Sequence, residues 1–356
     1  MRICIYGLVV AVLVSCQPPK QPKIEIPVPK GSDQTISEQV QYASVGLTKL
    51  SDYNFFKGKL SDLVPTENVL AYDLNTPLFS DYAKKKRFIY IPKGEKIGYR
   101  EKEVLDFPVG TILIKNFYYD AGQLNENSDK ILETRLLIHE TDGWKALPYI
   151  WNTEQSEAYL EITGGKIPLS LAGKGSISYN IPDMNQCKSC HDQDGNMTPI
   201  GPSVRQLNRA SPTDSSGTNQ LAQMVQLNWL KTPNGELPML AQWNDKTSGS
   251  LDERARAYLD INCAHCHNDQ GPAKNSGLNL TIHESDPYRI GVNKKPVAAG
   301  RGSANLKYGI VPGEPNASIL VHRMQTTEPG TMMPELGRTL PHDEGIALIK
   351  SWIEKM

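Results

Sequence analysis

Two C-x-x-C-H strings, Cys187-Lys-Ser-Cys190-His191 and Cys263-Ala-His-Cys266-His267, constrain this chain more than any other feature. Each places two thiols around a dipeptide and an imidazole directly after them. Three chemistries use paired cysteines. A structural zinc site takes four ligands, which two pairs could supply, but zinc ribbons separate their pairs by roughly 15–20 residues. Cys190 and Cys263 lie several times farther apart. Zinc also gives no reason for a His after both pairs. A redox dithiol of the thioredoxin kind belongs in a βαβ frame, which is absent here, and again needs no following His. C-x-x-C-H is the attachment signature of c-type haem. The two thiols add to the two vinyl groups, and the next imidazole reaches the iron as proximal ligand. The strings therefore point to two covalently attached haem c groups. Cys187, Cys190, Cys263 and Cys266 hold them, and His191 and His267 bind the irons. His265, inside the second string, is expected to be a solvent-facing filler.

The N-terminus gives the compartment. "MRICIYGLVVAVLVSC" has one Arg and then an apolar run from Ile3 to Val14. That run is too short to span a bilayer and reads as the core of a signal peptide. Leu-Val-Ser-Cys resembles the bacterial lipobox. An ordinary signal peptide with an incidental Cys is the alternative; the place of Cys16, directly after the apolar run and before a Pro-rich stretch, favours lipidation. The expected organisation is a signal peptide over 1–15, a lipidation site at Cys16 and a lipidated Pro-rich tether over 16–43. Gln17 after the Cys implies, by the usual Gram-negative sorting rule, an outer-membrane lipoprotein facing the periplasm. Export agrees with c-type haem, which is attached outside the cytoplasm. Of six cysteines, Cys4 leaves with the signal peptide, Cys16 takes lipid, and four lie in the strings, so none is left for a disulfide. The net charge of −1, with Lys and Arg spread along the chain, gives no basic footprint for nucleic acid.

Residues 44–65 read as a short helical or irregular lead-in. From about 70 onward, "RFIYIP" (87–92), "TILIKNFYY" (111–119), "ILETRLLIH" (131–139), "KALPYIW" (145–151) and "EAYLEIT" (157–163) alternate with turn material. Short strands at this spacing predict an all-β, sandwich-like domain over 44–182. After 183 the pattern becomes helical. "NQLAQMVQLNWL" (219–230) has helical period, and "LDERARAYLDIN" (251–262) puts Leu251, Ala255, Tyr258 and Leu259 on one face. The last segment, 342–356, offers Asp343 as N-cap and a stripe of Ile346, Ile349, Trp352 and Ile353. The fold class is thus an α+β multidomain chain. The β domain is followed by a first haem c segment (183–248) and a second haem c domain (249–356), both mainly α and like class I cytochromes c.

That class runs from a helix into C-x-x-C-H, then to a Met loop and a C-terminal helix. "EPGTMMPELGR" (328–338) fits the Met loop, and a Met directly before Pro selects Met333 as distal iron ligand. Met332 reads as a core neighbour, while His322 and His342 are the bis-His alternatives. "VPGEPNASILVHRM" (311–324) resembles the short helix that precedes such a loop. For the first haem, Met197, Met224 and Met239 are candidates, and an open iron is the other choice.

The chain closely resembles a family of bacterial dihaem c-type cytochromes. The resemblance runs from about 68 to 356. It rests on "YDLNTPLFSDYAKKKRFIYIP" (72–92), "DFPVGTILIKNFYY" (106–119), "WNTEQSEA" (151–158), "NQCKSCH" (185–191) and "TPIGPSVRQLNR" (198–209). It continues through "RARAYLDINCAHCHNDQGPAKNSGL" (254–278), "KPVAAGRGS" (295–303) and "MMPELGR" (332–338). It implies two covalent haems in the C-terminal half and an N-terminal β domain peculiar to the family. The leading expectation is an electron carrier, with a periplasmic or outer-membrane redox protein as partner and a lipid anchor to the membrane. The alternative is a dihaem peroxidase or oxidase that keeps the first iron open. A third reading makes the β domain a binding module on which the haems report.

Overall fold

The alternation in Ile112–Tyr119 sets the architecture. Leu113, Lys115, Phe117 and Tyr119 share one face of that strand, and Ile112, Ile114 and Asn116 the other, because successive side chains point to opposite faces. Five other runs pair with it in chain order. The computed structural model of the chain describes residues 45–231, 235–297 and 299–356. The expected signal peptide, Cys16 and the tether lie outside the described residues.

Two short strands, β1 (Phe56–Lys57) and β2 (Val64–Pro65), form a small ladder in the lead-in. The main sheet is an antiparallel meander of β3 (Val69–Tyr72), β4 (Lys84–Tyr90), β5 (Ile112–Tyr119), β6 (Lys130–Glu140), β7 (Gly143–Trp151) and β8 (Ala158–Leu160). A short helix, α1 (Ala121–Leu124), links β5 to β6. β9 (Gly165–Leu171) and β10 (Gly175–Ile181) form a separate hairpin. The expected sandwich is therefore one six-stranded sheet with different covers on its two faces, among the described residues. The outer face buries Phe88, Tyr90, Ile114, Leu136, Leu147 and Tyr149 under Leu50, Phe55 and Leu63 of the lead-in. The inner face has two patches. Phe117, Tyr119 and Leu132 pack on the β9–β10 hairpin. Ile89, Leu113, Leu137 and Ala146 pack on the segment that carries the first C-x-x-C-H.

That segment holds α2 (Met184–His191), a tight hairpin of β11 (Asp192–Gln193) and β12 (Asn196–Met197), α3 (Val204–Leu207) and α4 (Gln220–Gln226). The rest of the chain builds α5 (Leu251–Asn262), α6 (Pro287–Ile290), α7 (Ile319–Gln325) and α8 (Asp343–Glu354). A capping box between Ser250 and Glu253 starts α5. α5 and α8 pack through Ala255, Tyr258, Leu259, Ile346, Ile349, Trp352 and Ile353, as their periodicity requires. Gly345 permits the close crossing, since a Cβ there would stand 2.4 Å from the Tyr258 hydroxyl. The cap of α8 falls at His342, one residue before the expected Asp343, and its side chain makes no capping bond. Among the described residues, no helix is long and apolar enough to cross a membrane.

Residues 73–82 join the sheet to both helical segments. Asp73 and Thr76 exchange bonds with the amides of Gln220 and Gln206, and Asn75 Nδ2 donates to the Arg205 carbonyl. Farther along, the Phe79 N–H donates to Asn262 Oδ1 at 2.8 Å. The carboxylate of Asp81, 2% exposed, accepts from the N–H groups of Thr339 and Leu340 and from the Thr339 hydroxyl. Asp81→Ala would strand two part-buried backbone donors, so a loss of about 1–3 kcal/mol is expected. Denaturant unfolding of the purified protein measures it. A variant within about 0.5 kcal/mol of wild type, the range of ordinary surface substitutions, would contradict this.

Candidate functional site

The first string lies on α2. Asp183 caps that helix, accepting from the Gln186 N–H at 2.8 Å, and fixes where its first turn begins. Cys187 and Cys190 are then one turn apart on one face. His191 ends the helix, and the β11–β12 hairpin brings Thr198 back to it. His191 Nδ1 lies 2.7 Å from the Thr198 carbonyl, which can only accept, so Nδ1 carries the proton. Nε2 keeps its lone pair and makes no hydrogen bond among the described residues.

The second string follows α5 directly. Cys263 is the C-cap, and the N–H groups of Cys266 and His267 fold back onto its carbonyl. His267 Nδ1 lies 3.1 Å from Ser276 Oγ, and that hydroxyl donates to the Ala273 carbonyl at 2.7 Å. Its hydrogen is committed there, so Nδ1 is again the donor and Nε2 is left as a lone pair. Two strings without shared flanking sequence thus reach the same tautomer by different partners.

Burial sets the protonation of these groups. It pushes the thiols of Cys263 and Cys266 up to about 12 and that of Cys187 to about 11, and it raises Cys190. It lowers His191 and His267 to about 4, so both imidazoles are neutral at neutral pH. All four cysteines are free. No group of three or more His, Cys, Asp or Glu side chains converges on a metal-sized site among the described residues.

The hairpin after the first string touches the second string and the loop that follows it. Gln193 Nε2 donates to the His265 carbonyl at 2.7 Å, the Asp194 N–H donates to the Gln270 carbonyl, and Lys274 pairs with Asp194. His265 is correspondingly half-buried, and burial lowers its imidazole to about 4. The expectation of a solvent-facing filler is corrected: the residue packs where that hairpin meets the second string.

A cavity opens beside the second string. Cys263, Tyr258, Met324, Met333, Arg338 and His342 are among the residues that line it. Met333 faces it and Met332 does not. The loop that carries Met333 hangs on Arg338, which is 5% exposed. Its guanidinium donates to the carbonyls of Met333, Arg323, Thr326 and Leu340. His342 lines the same cavity, but its ring stacks on Phe79 at 4.2 Å and its Nδ1 meets the Tyr258 hydroxyl at 3.0 Å. His322, on α7, is not among the lining residues. Of the candidates for the first string, Met224 is fully buried in the cluster that contains Cys187, and Met197 packs against that cluster. Met239 is 65% exposed and stands outside it.

Thr198, Ser276, Gln193 and Arg338 were not singled out by the sequence, since their work depends on which chain segment folds onto them. In comparisons with family models, curated proteins and solved structures, this chain matches none.

Arg338→Ala removes the shared donor of four carbonyls, three of them in the loop after α7. Amide exchange over residues 326–340 is expected to speed up while the β5–β6 amides keep wild-type rates. Uniform protection in the variant would contradict the role given to Arg338.

Proposed function

We propose that this chain is a dihaem c-type cytochrome of the cell envelope, an electron carrier that passes charge to a periplasmic or outer-membrane redox protein. One observation carries the reading. Each C-x-x-C-H sets two protonated thiols before an imidazole whose Nδ1 is tied down and whose Nε2 is available, which is what covalent haem with a proximal His requires. The long strings shared with dihaem c-type cytochromes support it. So does the order of the second unit, in which α5 leads into the string, α7 precedes the Met333 loop, and α8 packs on α5. That order fits a class I-like cytochrome c domain over 249–356, with 183–248 as the first haem segment. The lipobox-like Leu-Val-Ser-Cys16 supports tethering to the outer membrane through lipid.

A bound haem supplies one-electron storage at its iron. The chain does the rest. Cys187, Cys190, Cys263 and Cys266 hold the porphyrins, and His191 and His267 offer Nε2 to the irons. Met333 would offer a soft thioether sulfur to a haem held at the second string, a donor that suits the ferrous state. Arg338 holds the Met333 loop, and the residues lining the cavity beside Cys263 restrict the access of water.

Resonance Raman and EPR on the holo protein test the reading. Two low-spin haems inert to peroxide are expected. A high-spin iron that turns over peroxide would instead make the chain a dihaem peroxidase or oxidase working at an open first haem. Met333→Ala is expected to abolish the near-infrared band of ferric His/Met haem and to admit CO, while Met332→Ala does neither. The opposite pattern would transfer the ligand role to Met332, and retention of the band in both variants would remove it from this loop.

A further inference from the structure

We propose that Lys85 and Lys115, on the inner face of the six-stranded sheet, form a seat for two carboxylates, the propionates of the haem held by Cys187, Cys190 and His191. The proposal rests on the haem reading given above and assigns that haem's anionic edge to the β domain.

The geometry begins with strand register. Arg87, Lys115 and Arg135 stand directly opposite one another on β4, β5 and β6. Like charges in such cross-strand positions repel and destabilise a sheet. Lys85 lies on the same face, opposite Phe117. Three of these cations surround the fully buried Phe117 ring: Arg135 Cζ at 4.3 Å, Lys115 Nζ at 4.8 Å and Lys85 Nζ at 5.8 Å from its centroid.

Carboxylates answer only part of this charge. Glu133 grips Arg135 at 2.5 and 2.7 Å and also accepts from the Tyr179 hydroxyl. Asp73 pairs with Arg87 at 2.6 Å. Lys85 and Lys115 have no carboxylate partner among the described residues. Asp73 also answers Arg209 at 3.5 Å, so cations outnumber carboxylates on this face, and the two anionic propionates of one haem would offset that excess. Burial, and after it the neighbouring Arg87 and Arg135, lowers both lysine amines well below their ordinary value.

Arg135 and Lys115 adjoin the first string, and Lys85 joins them around the Phe117 ring. Arg135 lies within electrostatic reach of the Cys187 and Cys190 thiols and of His191, and Lys115 within reach of Cys190 and His191. Cys187 shares its apolar cluster with Leu113 and Leu137, the neighbours of Lys115 and Arg135 along β5 and β6. The cationic row therefore sits where the sheet faces the attachment site. A sheet that served only as a wall would be expected to carry apolar side chains there.

The test uses holo protein with Lys85→Met, Lys115→Met and both together, each checked by mass for two attached haems. With a propionate charge left uncompensated, the ferric state is favoured. One haem is then expected to shift to lower potential in each single variant and farther in the double, while the other haem stays put and both spectra remain low-spin. Lys115→Arg should restore the wild-type value. Lys86→Met, on the exposed opposite face of β4, should change neither potential. Unchanged potentials in the double variant would overturn the seat. Loss of the low-spin spectrum in Lys115→Met alone would also overturn it, by making Lys115 an iron ligand. A wild-type potential that responds to added phosphate at constant ionic strength, with no response in the double variant, would give the seat to a free oxyanion instead. Wild-type protein without attached haem would fail the underlying reading, and the seat with it.

Discussion

The buried polar bonds of residues 73–82 hold the rest of this structure in place. A segment that leaves a sheet and runs between two helical units must satisfy its backbone groups away from water, or lose about 1–3 kcal/mol for each one stranded. Here the partners come from both units. Gln206 and Gln220, at 1% and 0% exposure, answer Thr76 and Asp73, and Asn262 answers Phe79. Asn262 is the residue directly before Cys263, so the second string starts from a position fixed by the sheet's own connector. Asp81 then ties the same connector to the stretch between Met333 and α8. The start of the second string and the stretch after Met333 are thus tied to one connector, although they are far apart in sequence.

The segments that carry the two strings also meet. The Gln193–His265 bond and the Lys274–Asp194 pair span the gap between them. For a two-centre electron carrier the consequence is direct. Two such centres would be held at a distance set locally, by contacts between the segments that carry the two strings. The sheet contributes the electrostatic setting, with its row of cations turned toward the first string.

Periodicity made much of this legible. The apolar runs at 87–92 and 131–139 are central strands, and Ile346, Ile349, Trp352 and Ile353 do form the buried stripe of α8. The hairpin of β9 and β10 alternates cleanly between exposed and buried positions, but Pro168 inside β9 and the glycines Gly165 and Gly175 give its sequence the look of turn material. A single sheet with two kinds of cover was read as a sandwich because alternation reports burial on a face and not what does the burying. Asp81 and Arg338 could not be read at all. A lone charged residue in a loop gives no local sign that it will accept or donate several bonds, and the partners of Asp81 lie 258 and 259 residues away. Likewise His265 looked like filler because its neighbour, Gln193, lies in the hairpin that follows the other string.

The account stands or falls on covalent haem at both strings. Intact mass under denaturing conditions, on protein made with a haem-c maturation system, measures this most directly. Two haems that survive denaturation are predicted, with Cys263→Ser weakening or abolishing retention of one of them. A mass equal to the bare mature chain, with zinc recovered in place of iron, would contradict the account.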